Sequence, residues 1–256
     1  MKSLLSLIAL GVVALAPAQL VQTQTDSNLL PTVTVDGTIG SSEYGARYNN
    51  GGGIGFGGTL GRGEILIDAD ASSLHMGFVP GGTFNDYVVV YLDTKFGGFD
   101  DASMNDTGDP GRNVITNLAR DRDELFPSGF FADYAVAFWN GGAVAFELTG
   151  GALNFLSFAN SAGPKELSMS LASLGLSGNF GFDWFAAYVS DTNFLSNETM
   201  PFDPSINGAA NPGFRPGGGP QGTVYNFYNR FEAVPEPGTM AALGLGVAAL
   251  LRRRRK

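Results

Sequence analysis

Between Asp93 and Asp109, six residues carry side-chain oxygens that suit a hard cation: Asp93, Asp100, Asp101, Asn105, Asp106 and Asp109. Set among Gly and Ser, they form a candidate calcium loop, because calcium takes several oxygen ligands from flexible chain. The spacing is not that of an EF-hand, whose ligands alternate and end in a bidentate Glu, and a solvated polar loop is the competing reading. The chain has 24 acidic residues, enough for a glycosidase-like carboxylate pair, but no spacing singles one out. Other chemistry fails on inventory. His75 is the single histidine and lies in the alternating segment Leu74–Phe78, and there is no G-x-S-x-G elbow, so no Ser-His-Asp triad is assigned. His75 and Met76 point to opposite faces of a strand and do not make a haem pair. The absence of Cys excludes thiol and zinc–thiolate chemistry and disulfides. Gly53–Gly58 and Gly217–Gly222 match G-x-G-x-x-G by spacing, yet neither follows a strand and opens a helix. Trp139 and Trp184 could stack on sugar rings, but their apolar strands favour core packing. No catalytic residue is assigned, and calcium is the only cofactor that the sequence suggests.

The two ends of the chain address membranes. Val234-Pro235-Glu236-Pro237-Gly238 precedes the apolar run Thr239–Leu251 and the cluster Arg252-Arg253-Arg254-Arg255-Lys256. At about 1.5 Å per residue the apolar run covers roughly 20 Å, short against a hydrocarbon core of about 30 Å. The five cations suit a cytoplasmic membrane edge and snorkel to extend the span. Pro235 and Pro237 separate this short transmembrane helix from the chain before it. At the other end, Lys2 and the apolar Leu4–Ala16 lead to Ala16-Pro17-Ala18, an A-x-A site for signal peptidase. The predicted organisation is a signal peptide over 1–18, an ectodomain over 19–233 and a tail over 234–256. Within the tail, the motif occupies 234–238, the membrane helix 239–251 and the basic cluster 252–256.

This tail resembles the PEP-CTERM sorting signal of Gram-negative bacteria, with all three parts in order. The resemblance implies that Pro235, Glu236 and Pro237 are read by an exosortase, a membrane transpeptidase that cuts near them. It also implies an inner-membrane intermediate, then delivery to the cell surface or extracellular matrix, and an association with exopolysaccharide and biofilm.

The body must supply any further function. Without Lys2 and the five terminal cations, and without Glu236, it keeps 9 basic and 23 acidic residues, a net charge near −14. That sign argues against nucleic acid. Gly-rich turns between aromatic runs point to an all-β chain, an antiparallel β-sandwich of jelly-roll or DOMON-like type with long Gly-rich loops. Period-2 patterning predicts strands at Thr32–Asp36, Glu64–Asp68, Leu74–Val79, Asp86–Asp93, Asp133–Trp139, Ala143–Thr149, Leu153–Phe158, Leu167–Leu171, Phe182–Val189 and Thr223–Phe231. Asn140-Gly141-Gly142 predicts a hairpin turn. Asn113–Leu125 predicts the one helix, and Tyr48–Gly63, Phe96–Gly111 and Ser196–Gly222 predict long loops.

Val35-Asp36-Gly37-Thr38-Ile39 with Glu43-Tyr44, the strand ending Tyr91-Leu92-Asp93-Thr94, and Glu166–Leu171 before Leu174-Gly175-Leu176 are similar to pieces of family-nine carbohydrate-binding modules and DOMON-like sandwiches. The resemblance implies the sandwich, with no sugar-stacking residue assigned. The leading expectation is a non-enzymatic exported surface or matrix protein. A carbohydrate-binding module is the alternative, and a glycan hydrolase with paired carboxylates is the third reading.

Overall fold

The computed structural model describes residues 18–27, 33–51, 55, 57–101, 103–116, 124–160, 163–190, 195–207 and 223–234. The predicted signal-peptide run Leu4–Ala16, the motif residues Pro235, Glu236 and Pro237, the predicted membrane helix and the basic cluster lie outside them. No helix of the described residues is long and apolar enough to cross a membrane.

The described chain is an all-β sandwich. Its strands are β1 (Gln19–Asp26), β2 (Ala46–Asn49), β3 (Glu64–Ala69), β4 (Ser73–Val79), β5 (Tyr87–Asp93), β6 (Glu124–Leu125), β7 (Tyr134–Trp139), β8 (Gly142–Glu147), β9 (Asn154–Asn160), β10 (Lys165–Ser170), β11 (Phe180–Val189), β12 (Leu195–Met200), β13 (Thr223–Val224) and β14 (Phe227–Ala233). Two short α-helices, α1 (Pro110–Thr116) and α2 (Pro204–Asn207), and a 3-10 turn at Ala172–Leu174 complete it. The large sheet runs β1-β14-β11-β5-β7-β8-β9, with β12 also on β11, and the small sheet runs β10-β4-β3-β2. The long strand β11 pairs with β14 through Phe180–Trp184 and with β12 through its last residues, while β5 pairs along its other edge from Asp183 to Val189.

The large sheet is buried on both faces. Val88, Val90 and Leu92 of β5, Val136 and Phe138 of β7 and Trp184 of β11 point into the core between the two sheets. Val89 and Tyr91, Ala135 and Ala137, and Phe185 and Ala187 point the other way, into a second core roofed by loops, α1 and Phe126, Phe130 and Tyr225. A strand with two apolar faces loses its alternation, which is why Tyr87–Leu92 reads as one continuous apolar run.

Several predicted elements differ. Val33–Val35 forms no strand, and Asp36-Gly37 is a bend held by Glu166, whose carboxylate accepts the Gly37 N–H at 2.7 Å. The predicted loop Tyr48–Gly63 begins inside β2. Ser196–Gly222 contains most of β12 and all of α2, and Thr223–Phe231 divides into β13 and β14. The helix predicted over Asn113–Leu125 starts earlier, at Pro110, and its far end is strand β6, which pairs with β13 in parallel. The sandwich is not wholly antiparallel either, because β1 runs parallel to β14. Propensity and patterning are local, whereas the bend at Asp36-Gly37, the pairing of β6 with β13 and that of β1 with β14 are set by distant partners.

Candidate functional site

On the outer face of the large sheet, at the end where β5 begins and β7 ends, a cleft of about 370 Å³ opens among aromatic rings. Tyr87 stands directly opposite Trp139 across the β5–β7 ladder, with ring centroids 6.2 Å apart. Trp139 is followed by Phe158 of β9 at 5.9 Å, and both pairs are tilted by less than 40°. Phe146 of β8 and Phe155 of β9 form a second pair at 6.2 Å. Phe155 is 58% and Phe158 50% exposed. That is unusual for two Phe on one strand of a well-packed sheet, where burying one such side chain is worth roughly 1.5–3 kcal/mol.

One irregularity builds this wall. Phe155 and Phe158 have opposite parity, so a regular strand would send one of them inward. A β-bulge intervenes, because Phe146 pairs with Phe155 while Ala145 pairs with Ser157. Leu156 then packs on the inner core, Ser157 Oγ donates to the Ser168 carbonyl at 2.6 Å, and both Phe rings face out. The hairpin at Asn140-Gly141 forms as predicted, with Trp139 paired to Gly142. A Cβ on Gly141 would come within 2.6 Å of the Trp139 indole nitrogen, so glycine there gives the indole its seat.

Of the candidate calcium residues, Asp109 lines the cleft, and Asp106 stands behind it on Arg112. Asp109 caps α1: its Oδ1 accepts the Arg112 N–H at 2.9 Å, with Pro110 at the first helical position. Asp106 Oδ1 closes a turn by accepting the Gly108 N–H, and Asp101 does the same with Ser103. Arg112 binds Asp106 Oδ2 at 2.5 Å, Asp109 Oδ2 at 3.0 Å and the Leu153 carbonyl at 2.6 Å, and lies over the Phe146 ring at 4.5 Å. Although partial burial alone would raise it, hydrogen bonding and Arg112 hold the Asp106 carboxyl below the usual range. Asn105 and Asp100 are exposed. Asp93 lies at the far end of β5, about 20 Å from Tyr87 at roughly 3.3 Å per residue. Among the described residues no three acidic or histidine side chains gather as a metal cluster. The six oxygen-bearing residues are thus spread over turns, a helix cap and a strand end.

Asp93 faces Asp183 across the β5–β11 ladder. Burial pushes the Asp93 carboxyl up to about 6, opposed by the Phe131 N–H and reinforced by Asp133 and Asp183. Asp183 is paired with Arg230 at 2.9 Å. This carboxylate pair is at the opposite end of β5 from Tyr87, and neither acid lines the aromatic cleft, whose lining holds one carboxylate, Asp109.

Elsewhere, buried acids hold loops. Glu198, fully buried, accepts the N–H groups of Gly58, Leu60 and Gly61 at 2.7–2.9 Å. Glu166 accepts the Tyr44 hydroxyl at 2.9 Å, which places the tyrosine of the acidic–aromatic pair Glu43-Tyr44 in a structural contact. His75 is 7% exposed and its Nε2 lies 3.2 Å from Asp70. Of the two tryptophans, Trp184 is wholly buried, meeting Tyr48 edge-on at 4.8 Å, and only Trp139 reaches a surface.

Of the cleft's rings, the sequence marks only Trp139, as one that could stack on sugar, and nothing short of the fold joins it to the others. The rings come from four strands, and their convergence depends on register and on the bulge. No curated protein and no solved structure matches the chain. At the C-terminal end, residues 233–256 match the PEP-CTERM protein-sorting motif, so the chain is an exported protein that carries an exosortase sorting signal and is directed to the cell surface.

Proposed function

We propose that this is a non-enzymatic protein of the cell surface or extracellular matrix that holds exopolysaccharide in its aromatic cleft. The observation that carries the reading is the row Tyr87–Trp139–Phe158, half-buried at Tyr87 and Trp139 and exposed at Phe158, with the exposed Phe155 beside it. The C–H face of a pyranose is apolar and slightly positive, and it stacks on the electron-rich face of an aromatic ring. A cleft of a few hundred Å³ with a few polar groups at its rim has the size of a small-ligand site. The hydrolase reading finds less support, since neither acid of the facing pair Asp93 and Asp183 lines the cleft. Calcium has no assigned place in this function, and signal peptidase and the exosortase act on the two ends of the chain.

Trp139→Ala with Phe158→Ala should leave export and tail processing unchanged and release the protein from the matrix into the wash fraction. Retention equal to wild type would overturn the glycan reading. The sorting step is read separately: in a host lacking exosortase, the uncleaved chain should remain in the inner membrane.

A further inference from the structure

We infer that the cleft selects uncharged hexose chains and excludes acidic polymers, a conclusion that rests on the glycan reading above. The argument is electrostatic and geometric. The one cation in the cleft's lining, Arg112, is flanked by two carboxylates, Asp106 Oδ2 at 2.5 Å and Asp109 Oδ2 at 3.0 Å. Its Nη1 also donates to the Leu153 carbonyl, and its guanidinium sits over the Phe146 ring. A uronate or sulfate arriving there would meet a rim with an excess negative charge and a guanidinium already engaged. Asp109 is half exposed at its side chain, so its charge faces an incoming chain. The body's net charge near −14 adds a repulsion that reaches about 8 Å at physiological ionic strength.

The platform itself suits a neutral ligand. Tyr87, Trp139 and Phe158 follow one another at 6.2 and 5.9 Å across three strands. Contact through ring faces draws on apolar C–H groups, which neutral hexoses present without a carboxylate to desolvate. Asp109 at the rim, as an acceptor, is placed to take hydroxyl donors, which a neutral sugar has in plenty.

The two tryptophans make the test direct. Trp184 is sealed in the inner core and Trp139 lines the cleft, so a fluorescence change on titration reports the cleft. The full chain is titrated with cellohexaose, maltohexaose and hexagalacturonate at low and at physiological salt. At least one neutral hexamer should change the emission with an affinity about tenfold or more above that of hexagalacturonate. Trp139→Phe should abolish the response, and Phe158→Ala should weaken binding about tenfold. Asp109→Asn keeps a helix-capping side chain and removes one charge, so it should narrow the gap between neutral and acidic hexamers. Equal or tighter binding of hexagalacturonate would overturn the neutral selection while leaving the glycan reading standing. Absence of any response to all three hexamers, with the melting temperature unchanged by them, would overturn both.

Discussion

Glu198 shows how single acids act in this protein. Its carboxylate is sealed from water and serves as the common acceptor for three backbone N–H groups of the Gly57–Gly61 turn. Burial still raises its proton affinity despite those donors, so the acid is held at a cost for the sake of the loop. Glu198→Ala leaves buried donors without an acceptor and should destabilise by about 3 kcal/mol, measured by urea unfolding. A loss below about 1 kcal/mol would mean that the turn is held by other contacts. Asp93 makes the opposite case. Its carboxyl is raised to about 6 from an ordinary value of 3.8, so above that range its ionised form weakens the fold. Asp93→Asn keeps an acceptor for the Phe131 N–H and should raise the melting temperature at pH 7.5 while changing little at pH 4. A lower melting temperature at pH 7.5 would show that the charge itself is needed.

At the scale of elements, the β9 bulge is the decisive irregularity, because it reconciles two rings of opposite parity on one face. Deleting Ser157 leaves Phe155 and Phe158 two positions apart, a spacing that plain alternation already puts on one side. Both rings should then stay outward and the Trp139 emission should be kept, while the lost Ser157–Ser168 bond costs about 1 kcal/mol in urea unfolding. A displaced Trp139 emission would mean that the platform depends on the bulge's own bend as well as on parity. Strands with two apolar faces were legible from residues alone: Tyr87–Leu92 and Tyr134–Phe138 carry Val, Ala and aromatics with hardly a break. The strand β12, Leu195-Ser196-Asn197-Glu198-Thr199-Met200, reads as loop because its central acid is satisfied by the Gly57–Gly61 turn, more than 130 positions away. Likewise β1 is Gln- and Thr-rich because it is an edge with Leu20 and Val21 exposed. The acidic loop was visible as composition, but its use was not. Asx turns and helix caps employ the same oxygens as a cation would, and only geometry separates them. The cleft needed the register of four strands.

For the whole molecule, the ionisable groups combine to place maximum stability on the acid side. Burial raises Asp93, Asp133, Asp183, Glu166 and Glu198 in the folded state. Their unfolded counterparts ionise first as pH climbs from about 4, so stability falls as pH rises from there, for Asp93 up to about 6, and stays lower above. Asp70 behaves oppositely: although burial opposes it, hydrogen bonds from Ser72, His75 and Ser73 bring it to about 2. Its contribution is present above about pH 4 and lost as pH falls towards 2, and Asp106 and Glu147, also lowered, act in the same direction. The melting temperature should therefore peak near pH 4–5 and decline on both sides; a peak at pH 7 or higher would contradict this balance. The parallel pairing of β1 with β14 has its own consequence. Gln19 lies beside Phe227, and Asp26 beside Ala233, so the chain enters this ribbon at one end and departs towards its sorting tail at the other. With the seven residues of β14 at roughly 3.3 Å each, entry and departure are about 23 Å apart. Whatever holds the protein beyond Val234 therefore grips it at the end of this edge ribbon that is remote from Gln19, and the head of the first strand is the part held farthest from that grip.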